Sequence, residues 1–462
     1  MQFDAIIIGA GLSGLAAGIR LAHYGKKVRI FERHHLPGGL NSCYQRNGKT
    51  WDVGLHAMTN FAPSESRSAP LPQLLRQLRI RREDLQLVPQ TISSISFPDA
   101  KLVLNNDFMA FREQVGSLFP RSLNGFDRLC TKLMPYNQFA LADHSVSTRA
   151  VLAEFLPDEQ FREMLLLPVM YYGSSTSGDI AFPRFSVLFQ SIFREGLMRP
   201  KFGMGPFLQT LTEKFTRDGG ELCLGNGIAQ LHSNGDVIQE AIDDNGESHQ
   251  ADIYISCAGA CETAALFSSD TPAMGNSLPA GNISFLEAMF QLDRHPSELG
   301  LQECIQFCNS EKHFDFQPPQ NEAPSHFPSY LITAAGNYQS CQEIPDAKTI
   351  RFSTLASPDF WLNADSATYT ATKSRVCEDI IRFLDAKYPG FAQSVQSADM
   401  FTPKTIRRFT GKINGAIYGT PDKYVASRTE CKNLLLAGTD QGLLGIVGAL
   451  LSGSIAANLA LS

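Results

Sequence analysis

Three glycines and one glutamate near the start of the chain have a spacing that could bind a dinucleotide. Gly9, Gly11 and Gly14 form a GxGxxG pattern directly after the apolar run 5–8, and Glu32 lies eighteen residues beyond Gly14. In such a pattern the first glycine permits a tight turn, the second lets backbone approach a pyrophosphate, and the third allows close helix packing. An acidic side chain at this distance can accept hydrogen bonds from ribose hydroxyls, so the four residues predict a nucleotide site.

The residues around this pattern predict the elements that must hold it. Residues 5–8 form a β-branched apolar run, which is typical of a strand buried on both faces. Residues 12–24 carry apolar side chains at helical spacing, and Gly25 ends that helix. Residues 27–31 follow as a second strand that leads into Glu32. A pyrophosphate at the start of the helix would meet free N–H groups and a favourable dipole.

NAD and FAD can both occupy such a unit, and three further features favour FAD. The pattern stands at the N-terminal end of the chain, and a second glycine pair, Gly38-Gly39, follows Glu32 by six residues. A strand at 433–437 runs into Gly438 and Asp440 before a glycine-containing helix, whose N-terminus could face the flavin. No second GxGxxG pattern follows a strand, so we do not expect a built-in NAD(P)H domain.

Length, charge and cysteine content limit the classes of protein that remain. A chain of 462 residues predicts two intertwined domains rather than one simple core. The net charge of −6 and the absence of a strongly basic block argue against nucleic acid as a partner. Ten cysteines without a CxxC pair or clustered histidines predict reduced thiols and no metal site. No signal peptide is visible at residues 1–4, so we expect a cytoplasmic protein.

Two segments leave membrane association open. Residues 443–462 are uncharged over about the length of a bilayer span, but their many small residues favour a closely packed helix. Residues 182–198 carry a helical stripe of apolar side chains with Arg184, Arg194 and Arg199 at its edges. That stripe would suit peripheral docking on a membrane, and it would equally suit burial in the protein core.

Several sequence blocks resemble, in order, the flavoprotein family of phytoene desaturases, carotenoid isomerases and retinol saturases. The blocks are 4–18 with Glu32, 37–39, 51–54, 201–204, 401–419 and 436–453. The resemblance implies an α/β fold with a Rossmann-type FAD-binding domain and an interleaved α+β substrate domain. It places the FAD-binding domain at 1–60, 200–265 and 426–462, and the substrate-binding domain at 61–199 and 266–425.

The same resemblance implies which residues hold FAD. The predicted contacts are Gly9, Gly11, Leu12, Ser13 and Gly14 for the pyrophosphate, Glu32 and Arg33 for the adenosine ribose, Gly38, Gly39, Leu40 and Asn41 for the flavin side, Ile228 for the adenine, and Gly438, Asp440, Gly445, Ile446 and Val447 for the ribityl chain and ring.

Three departures from the family pattern leave the exact substrate open. Leu40 stands where many members carry a polar or basic residue, and Phe202 stands where a glycine would precede Gly203. The segment 439–444 lacks a Pro-Gly pair and is one residue shorter. This last departure lies beside the expected flavin ring.

The implied activity is that of an FAD-dependent oxidoreductase acting on a hydrophobic isoprenoid or polyene lipid. Desaturation, with hydride transfer to the flavin and a quinone or oxygen as external electron acceptor, is the reaction that the resemblance favours. His56 is the leading candidate for proton exchange near the ring, because histidine exchanges protons near neutrality. The alternative for His56 is a packing role with backbone partners, and Tyr418, Asp440 and Arg408 are weaker candidates.

Three other functions stay open at this point. Polyene isomerases and saturases use the same flavin, and the sequence does not choose among them. Amine oxidases share the fold but place aromatic groups beside the flavin, whereas residues 438–449 contain none and the chain has two tryptophans, Trp51 and Trp361. A prenyl-binding protein without FAD chemistry would have no need of the complete set of Gly9, Gly11, Gly14 and Glu32.

Overall fold

A computed structural model describes the chain except for residues 1, 47, 64–65, 67–68, 135–145, 268–278 and 320–326. Its strands are β1 (Gln2–Ile8), β2 (Val28–Glu32), β3 (Cys43–Arg46), β4 (Lys49–Asp52), β5 (Leu87–Pro89), β6 (Ser93–Phe97), β7 (Ala100–Leu104), β8 (Met198–Pro200), β9 (Glu221–Leu224), β10 (Ile228–Asn234), β11 (Val237–Asp243), β12 (Ser248–Ser256), β13 (Ser284–Leu292), β14 (Ile305–Asn309), β15 (Ser329–Ala334), β16 (Thr349–Ala356), β17 (Val395–Phe401) and β18 (Leu434–Leu436). Its α-helices are α1 (Leu12–His23), α2 (Pro70–Leu78), α3 (Phe108–Leu118), α4 (Leu123–Leu133), α5 (Thr148–Phe155), α6 (Glu159–Gly173), α7 (Phe182–Phe189), α8 (Met204–Arg217), α9 (Ala260–Ala264), α10 (Pro358–Asn363), α11 (Ser366–Lys387), α12 (Phe391–Ser394), α13 (Pro403–Thr410) and α14 (Gly445–Leu461).

The first sheet contains the predicted nucleotide-binding unit. Its parallel strands lie in the order β18-β12-β1-β2-β9, and β10 and β11 form a hairpin that continues from the start of β12. The predicted strand, helix and strand are confirmed as β1, α1 and β2. Two Asn-Gly pairs, Asn234-Gly235 and Asn245-Gly246, form the turns between β10 and β11 and between β11 and β12.

Successive side chains of β1 pack into two different apolar clusters, one on each face of the sheet. Ala5 and Ile7 belong to the apolar cluster of α1, α8 and α14, whereas Ile6 and Ile8 belong to the cluster under the β10–β11 hairpin. A strand sends alternate side chains to opposite faces, so β1 must be apolar throughout to be buried on both. The buried centre of this sheet therefore follows directly from the apolar run in the sequence.

The second sheet has the strand order β17-β13-β16-β15-β14-β6-β7 and is antiparallel except where β14 pairs with β6. Leu286 and Phe290 of β13 pack in the cluster that contains side chains of α11. Phe285 faces the opposite way, into the cluster of α6 and α7. Because side chains alternate along a strand, Glu287 shares the face of Phe285.

The two sheets agree with the predicted division of the chain. Within the described residues, every strand of the first sheet comes from 1–60, 200–265 or 426–462, and every strand of the second from 61–199 or 266–425. The predicted α/β class is confirmed, while the domain boundaries stay a prediction. The short strands β5, β6 and β7 lie among the helices of residues 61–200.

The apolar stripe of 182–198 is part of the core. Phe185, Phe189 and Phe193 are at most 3% exposed, and their rings stack in succession along α7 and the turn that follows it. Because its apolar side chains contact α3, α4 and one another, the stripe takes the core alternative of the two that the sequence left open, while contact of the protein with a membrane stays a prediction.

Helix α14 packs lengthwise against α1, as the small residues of 443–462 predict. Among the described residues, no helix combines the length and apolar character that crossing a bilayer requires.

Candidate functional site

The glycine loop between β1 and α1 leaves space beside the start of the helix. Gly9 has a φ of +100°, which favours glycine, and its N–H donates to Phe31 O at 2.8 Å. Gly11 caps α1, and within the described residues no side chain caps this helix. A Cβ atom at Gly11 would meet no atom within 4 Å. The open space and the N–H groups of the first turn, which includes Leu12 and Ser13, fit a pyrophosphate.

Glu32 closes the other side of this loop. Its Oε2 accepts a hydrogen bond from the Ala10 N–H and its Oε1 from the His34 N–H, both at 2.8 Å. The carboxylate is 8% exposed and ends β2 beside the loop, which is where the spacing placed it. An ionised carboxylate has further lone pairs, so it can still accept from a ribose hydroxyl. That ribose contact stays a prediction.

The second glycine pair lies directly against the first loop. The Gly38 N–H donates to Ala10 O at 2.9 Å, and Gly38 bridges to Gly11. A Cβ on Gly39 would stand 3.7 Å from the Cα of Gly11. Residues 39–41, which include Leu40 and Asn41, form a short 3-10 turn next to this contact. The structure thus brings together the two glycine motifs that the sequence separates.

The residues predicted to contact the adenosine part of FAD also lie close together. Asn226 N–H donates to Glu32 O at 3.0 Å, which places the start of β10, with Ile228, beside the end of β2. A Cβ on Gly227 would approach the Cβ of Arg33 to 2.9 Å. Arg33 and the start of β10, which carries Ile228, therefore lie next to each other at the end of β2, although their contacts with the cofactor stay predictions.

The C-terminal segment meets the same loop from the opposite end of the chain. A Cβ on Gly438 would lie 3.5 Å from Ser13 Oγ, and the Gly438 N–H donates to Ser452 Oγ at 2.6 Å. Helix α14 begins at Gly445, and its first side chains, Ile446 and Val447, belong to the apolar cluster of α1. Both ends of the chain therefore line one site, as the sequence predicts.

Asp440 holds two neighbouring segments together. Its Oδ2 accepts from the Ala260 N–H at 2.6 Å and its Oδ1 from the Thr420 N–H at 2.8 Å, and the residue is 2% exposed. Lys423 Nζ lies 3.9 Å from Oδ1 and donates to Tyr418 O at 2.5 Å. Burial lowers the pKa of Lys423 to about 7, although the charge of Asp440 opposes this shift. A contact of Asp440 with the ribityl chain stays a prediction.

His56 is held by side chains and not by backbone partners. Its Nε2 lies 3.1 Å from Glu287 Oε2, and its Nδ1 lies 3.0 Å from Thr333 Oγ1. Arg351 forms an ion pair with the other oxygen of Glu287. Burial raises the pKa of Glu287, but the charge of Arg351 and the hydrogen bonds of His56 and Ser353 together lower it to about 2. His56 thus faces a carboxylate that is ionised at neutral pH.

A small polar cavity lies behind Thr333. Asp52, Arg199, Asp346 and Arg351 line it together with Thr333. Arg199 is 3% exposed and its guanidinium bonds to Asp346 at 2.7 Å. Burial raises the pKa of Asp52, although the charge of Arg199 opposes the shift. The cavity therefore contains two cations and two carboxyl groups next to the partner of His56.

A wall of aromatic side chains stands between α6 and the second sheet. Tyr171 stacks on Phe285 at 5.3 Å and meets Phe316 edge-on at 5.5 Å, and Phe285 contacts Tyr418 at 6.1 Å. The Tyr418 hydroxyl donates to Tyr171 O, so this weaker candidate for catalysis is engaged within the wall. We call these side chains, together with Tyr172 and Phe307, the aromatic wall.

The aromatic wall reaches the predicted flavin segment through Gly173. A Cβ on Gly173 would come within 2.7 Å of the Leu444 side chain, directly before α14. Arg408, the remaining weaker candidate, is exposed and lies over the Phe409 ring.

Sequence reasoning missed Glu287 and Thr333, the partners of His56, and Arg351, which pairs with Glu287. One signal was present, because Glu287 and Arg351 are charged residues in the otherwise uncharged strands β13 and β16. A charge in a buried strand requires a partner. The identity of that partner depends on strand register, which the sequence does not reveal.

Comparison with known proteins places these features in context. Residues 12–461 match the family described as flavin containing amine oxidoreductase. The chain is similar to prolycopene isomerase of Daucus carota, with 23% identity over 96% of this chain and 74% of that protein. It is also similar to all-trans-retinol 13,14-reductase of Danio rerio, with 21% identity over 97% of this chain and 84% of that protein.

A solved structure shows the same fold. An oxidoreductase from Methanosarcina mazei superimposes with a TM-score of 0.66 and 16% identity, over 98% of this chain and 99% of that chain. At this identity the similarity concerns the fold alone.

Proposed function

The chain belongs to the family of flavin containing amine oxidoreductases, which makes it an FAD-dependent oxidoreductase, and from this premise we propose that its substrate is a polyene isoprenoid lipid. FAD, when bound, supplies the transfer of a hydride between a substrate carbon and the flavin. The glycine loop at Gly9–Gly14, Glu32 and the start of α14 are the residues that would hold it.

The observation that carries the proposal is the aromatic wall. It is built of largely buried aromatic rings that contact one another, and it borders the predicted flavin segment at Leu444. Such a surface suits a long hydrocarbon, because ligand pockets bind apolar chains mainly by burying their surface. The relatives that cover almost the whole chain are named for prolycopene and for retinol, both of which are polyenes.

An amine substrate fits the contacts less well. A cationic substrate gains most from an unneutralised carboxylate in a buried site. Glu287, the carboxylate beside His56, already binds Arg351 and His56. The aromatic wall does supply aromatic groups, which residues 438–449 lack. Amine oxidation is therefore tested directly alongside lipid conversion.

Within this site His56 is the group that we assign to proton exchange. Removing two hydrogens from neighbouring carbons separates a hydride from a proton, and the proton must leave a water-poor site. The His56 side chain is 14% exposed and is hydrogen-bonded on both ring nitrogens. Its environment therefore orients the ring firmly, which proton transfer requires.

Desaturation is the reaction that we propose to test first, with a quinone or oxygen as the external electron acceptor. Isomerisation is the second candidate, because the similarity to prolycopene isomerase spans 96% of the chain. Saturation is the reverse redox direction at the same site, and the similarity to a retinol reductase keeps it in the test.

The experiment begins with an absorption spectrum of the purified protein. The flavin-loaded enzyme is then mixed, without oxygen, with phytoene-, prolycopene- and retinol-type lipids, once with the flavin oxidised and once with the flavin reduced by dithionite. We expect one class of lipid to bleach the flavin or to change its own polyene bands. Benzylamine and putrescine serve as matched amine probes, with peroxide as the readout under air. A colourless protein that takes up no FAD would favour a binding role, and amine turnover without any lipid conversion would overturn the proposal.

The route by which a lipid substrate reaches the site is also part of the proposal. The enzyme would draw its substrate from a membrane or a lipid carrier, and the buried stripe of α7 is not the contact surface. Co-sedimentation of the holoenzyme with phosphatidylcholine vesicles, with and without anionic lipid, tests whether peripheral contact occurs.

A further inference from the structure

The ring of His56 lies against neighbouring strands of the second sheet, and each strand contributes a polar group. Glu287 lies on β13, Ser353 on β16 and Thr333 on β15. The antiparallel register pairs Glu287 with Ser353 and Thr333 with Arg351. Directly opposed residues share one face of a sheet, so register alone gathers these side chains around the ring.

Glu287 determines the state of one ring nitrogen. Its carboxylate is 6% exposed, and Ser353 Oγ donates to Oε2 at 3.2 Å while Arg351 binds Oε1. These partners keep the carboxylate ionised, and an ionised carboxylate can accept hydrogen bonds but cannot donate them. His56 Nε2, 3.1 Å from Oε2, must therefore carry a hydrogen and donate it.

Thr333 faces the other ring nitrogen, where a proton can be exchanged. A hydroxyl can either donate or accept a hydrogen bond. Thr333 Oγ1, 3.0 Å from Nδ1, donates to neutral imidazole and accepts from imidazolium. The imidazolium form of His56 therefore differs from the neutral imidazole by a proton on Nδ1.

Thr333 also connects the ring to the polar cavity. The cavity is lined by Asp52, Arg199, Asp346 and Arg351 as well as Thr333. Polar cavities of this kind accept water when several groups can bond to it. The Asp346 side chain is 26% exposed, which links this side of the cavity to solvent.

We propose that Glu287 and Thr333 are positioning residues that give the two nitrogens of His56 different roles. Glu287 keeps a hydrogen on Nε2, and protons reach and leave the ring at Nδ1 through Thr333 and the polar cavity. This rests on the proton-exchange role of His56 in the proposed function. In the outward step, the Nδ1 proton passes to Thr333 Oγ1 as the Thr333 hydroxyl proton passes to a water molecule in the cavity. Thr333 ends uncharged, His56 ends neutral, and the cavity water carries the proton to solvent.

The tautomer of His56 tests the first half of the proposal without any turnover. We would label the holoenzyme with ¹⁵N-histidine and assign the His56 signals by their loss in H56Q. At a pH where the ring is neutral, we expect a hydrogen on Nε2 and a bare Nδ1. A wild-type ring with its hydrogen on Nδ1 would overturn the proposal.

The variant E287Q should reverse this tautomer. Arg351 would bind the amide oxygen of the new side chain and leave its NH2 group facing Nε2, which would then have to accept. The hydrogen of the neutral ring would move to Nδ1. E287D keeps a carboxylate and should keep the wild-type tautomer. An unchanged His56 spectrum in E287Q would remove Glu287 from the proposal.

Thr333 is tested by T333V against T333S. T333V removes the hydroxyl at nearly constant volume, so the Nδ1 resonance should move and kcat should fall at least tenfold with little change in KM. T333S restores the hydroxyl and should recover both signals. If T333V leaves the Nδ1 resonance and kcat unchanged, the route through Thr333 is wrong. If no lipid is converted by the wild type, the proposed function fails while the ¹⁵N spectra still decide the tautomer.

Discussion

Gly453 on α14 lies so close to Ser13 on α1 that a Cβ atom on Gly453 would come within 1.9 Å of the Ser13 carbonyl oxygen. This contact joins residue 453 near the end of the chain to the first turn of the helix that would bind pyrophosphate. A backbone oxygen in a helix cannot move away as a flexible side chain can. The position of α1 therefore depends on the absence of a side chain on α14.

We expect G453A to weaken both stability and FAD binding. The added methyl group would push α14 from α1 and should cost about 1–3 kcal/mol, as overpacking of a core does. Urea unfolding and titration with FAD, followed by flavin fluorescence, measure the two effects. G205A is the matched control, because its Cβ would stand 3.4 Å from Cys43 Sγ, an ordinary contact. Equal behaviour of G453A and G205A would contradict the packing argument.

Replacing Glu32 should weaken FAD binding more than it weakens the fold. E32Q leaves one acceptor oxygen where the carboxylate serves both the Ala10 and the His34 N–H groups. Hydrogen bonds to charged groups contribute about 1.5–3 kcal/mol, so we expect the Kd for FAD to rise about 10- to 100-fold. E221Q, at an exposed ion pair with Arg29, is the control and should bind FAD normally. Unchanged affinity in E32Q would exclude a role at the nucleotide.

The ion pair of Glu287 predicts a particular dependence of stability on pH. The pKa of Glu287 is lowered from 4.5 to about 2 in the folded protein. Ionised Glu287 therefore stabilises the fold above about pH 4.5, and this contribution is lost as the pH falls towards 2. The difference corresponds to about 3 kcal/mol. Urea unfolding of wild type and E287Q should differ most at pH 7, and the difference should shrink below pH 4.5. A constant difference would contradict the ionised state.

Lys423 predicts a second rise of stability with pH, in a higher pH range. Its pKa is lowered from 10.5 to about 7, so the unfolded chain holds the proton more tightly than the folded one. The folded state is therefore penalised below about pH 7, by on the order of 5 kcal/mol, and this penalty disappears as the pH rises towards 10.5. K423M should exceed wild type in stability at pH 7 and lose that advantage by pH 10.

The control for Lys423 is K432M, because Lys432 is 72% exposed and pairs with Asp236 on the surface. Its stability relative to wild type should not change over this pH range. If K423M and K432M follow the same curve, Lys423 is not the buried cation that the structure shows.

Substitution of Phe189 distinguishes a core role of residues 182–198 from a membrane role. The side chain is fully buried and stacks on Phe193 at 4.8 Å, so F189A should destabilise the fold by about 3–5 kcal/mol. M109A, at a residue that is 58% exposed, should change stability little. Urea unfolding and vesicle co-sedimentation are measured together. A stable F189A protein with reduced vesicle binding would favour the membrane alternative over the core alternative.

The nucleotide site could be predicted because its signals are local. Gly9, Gly11 and Gly14 lie within six residues, and β1, α1 and β2 follow each other without insertion. Periodicity determines such elements, since a buried parallel strand must be apolar throughout and a helix must repeat its apolar face. The meeting of the two chain ends was also predictable, because the C-terminal helix is rich in small residues.

The neighbours of His56 were decided by the tertiary structure. Glu287, Thr333 and Arg351 lie more than two hundred residues from His56, and they come together only through the register of β13, β15 and β16. The stripe at 182–198 illustrates the same limit, because an apolar helical face has one pattern whether protein or lipid covers it. Sequence by itself determined the elements whose apolar pattern is local, such as β1, α1 and β2 around the first glycine loop. Long-range packing decided what each buried face and each buried charge contacts, because register and burial depend on partners distant in the chain.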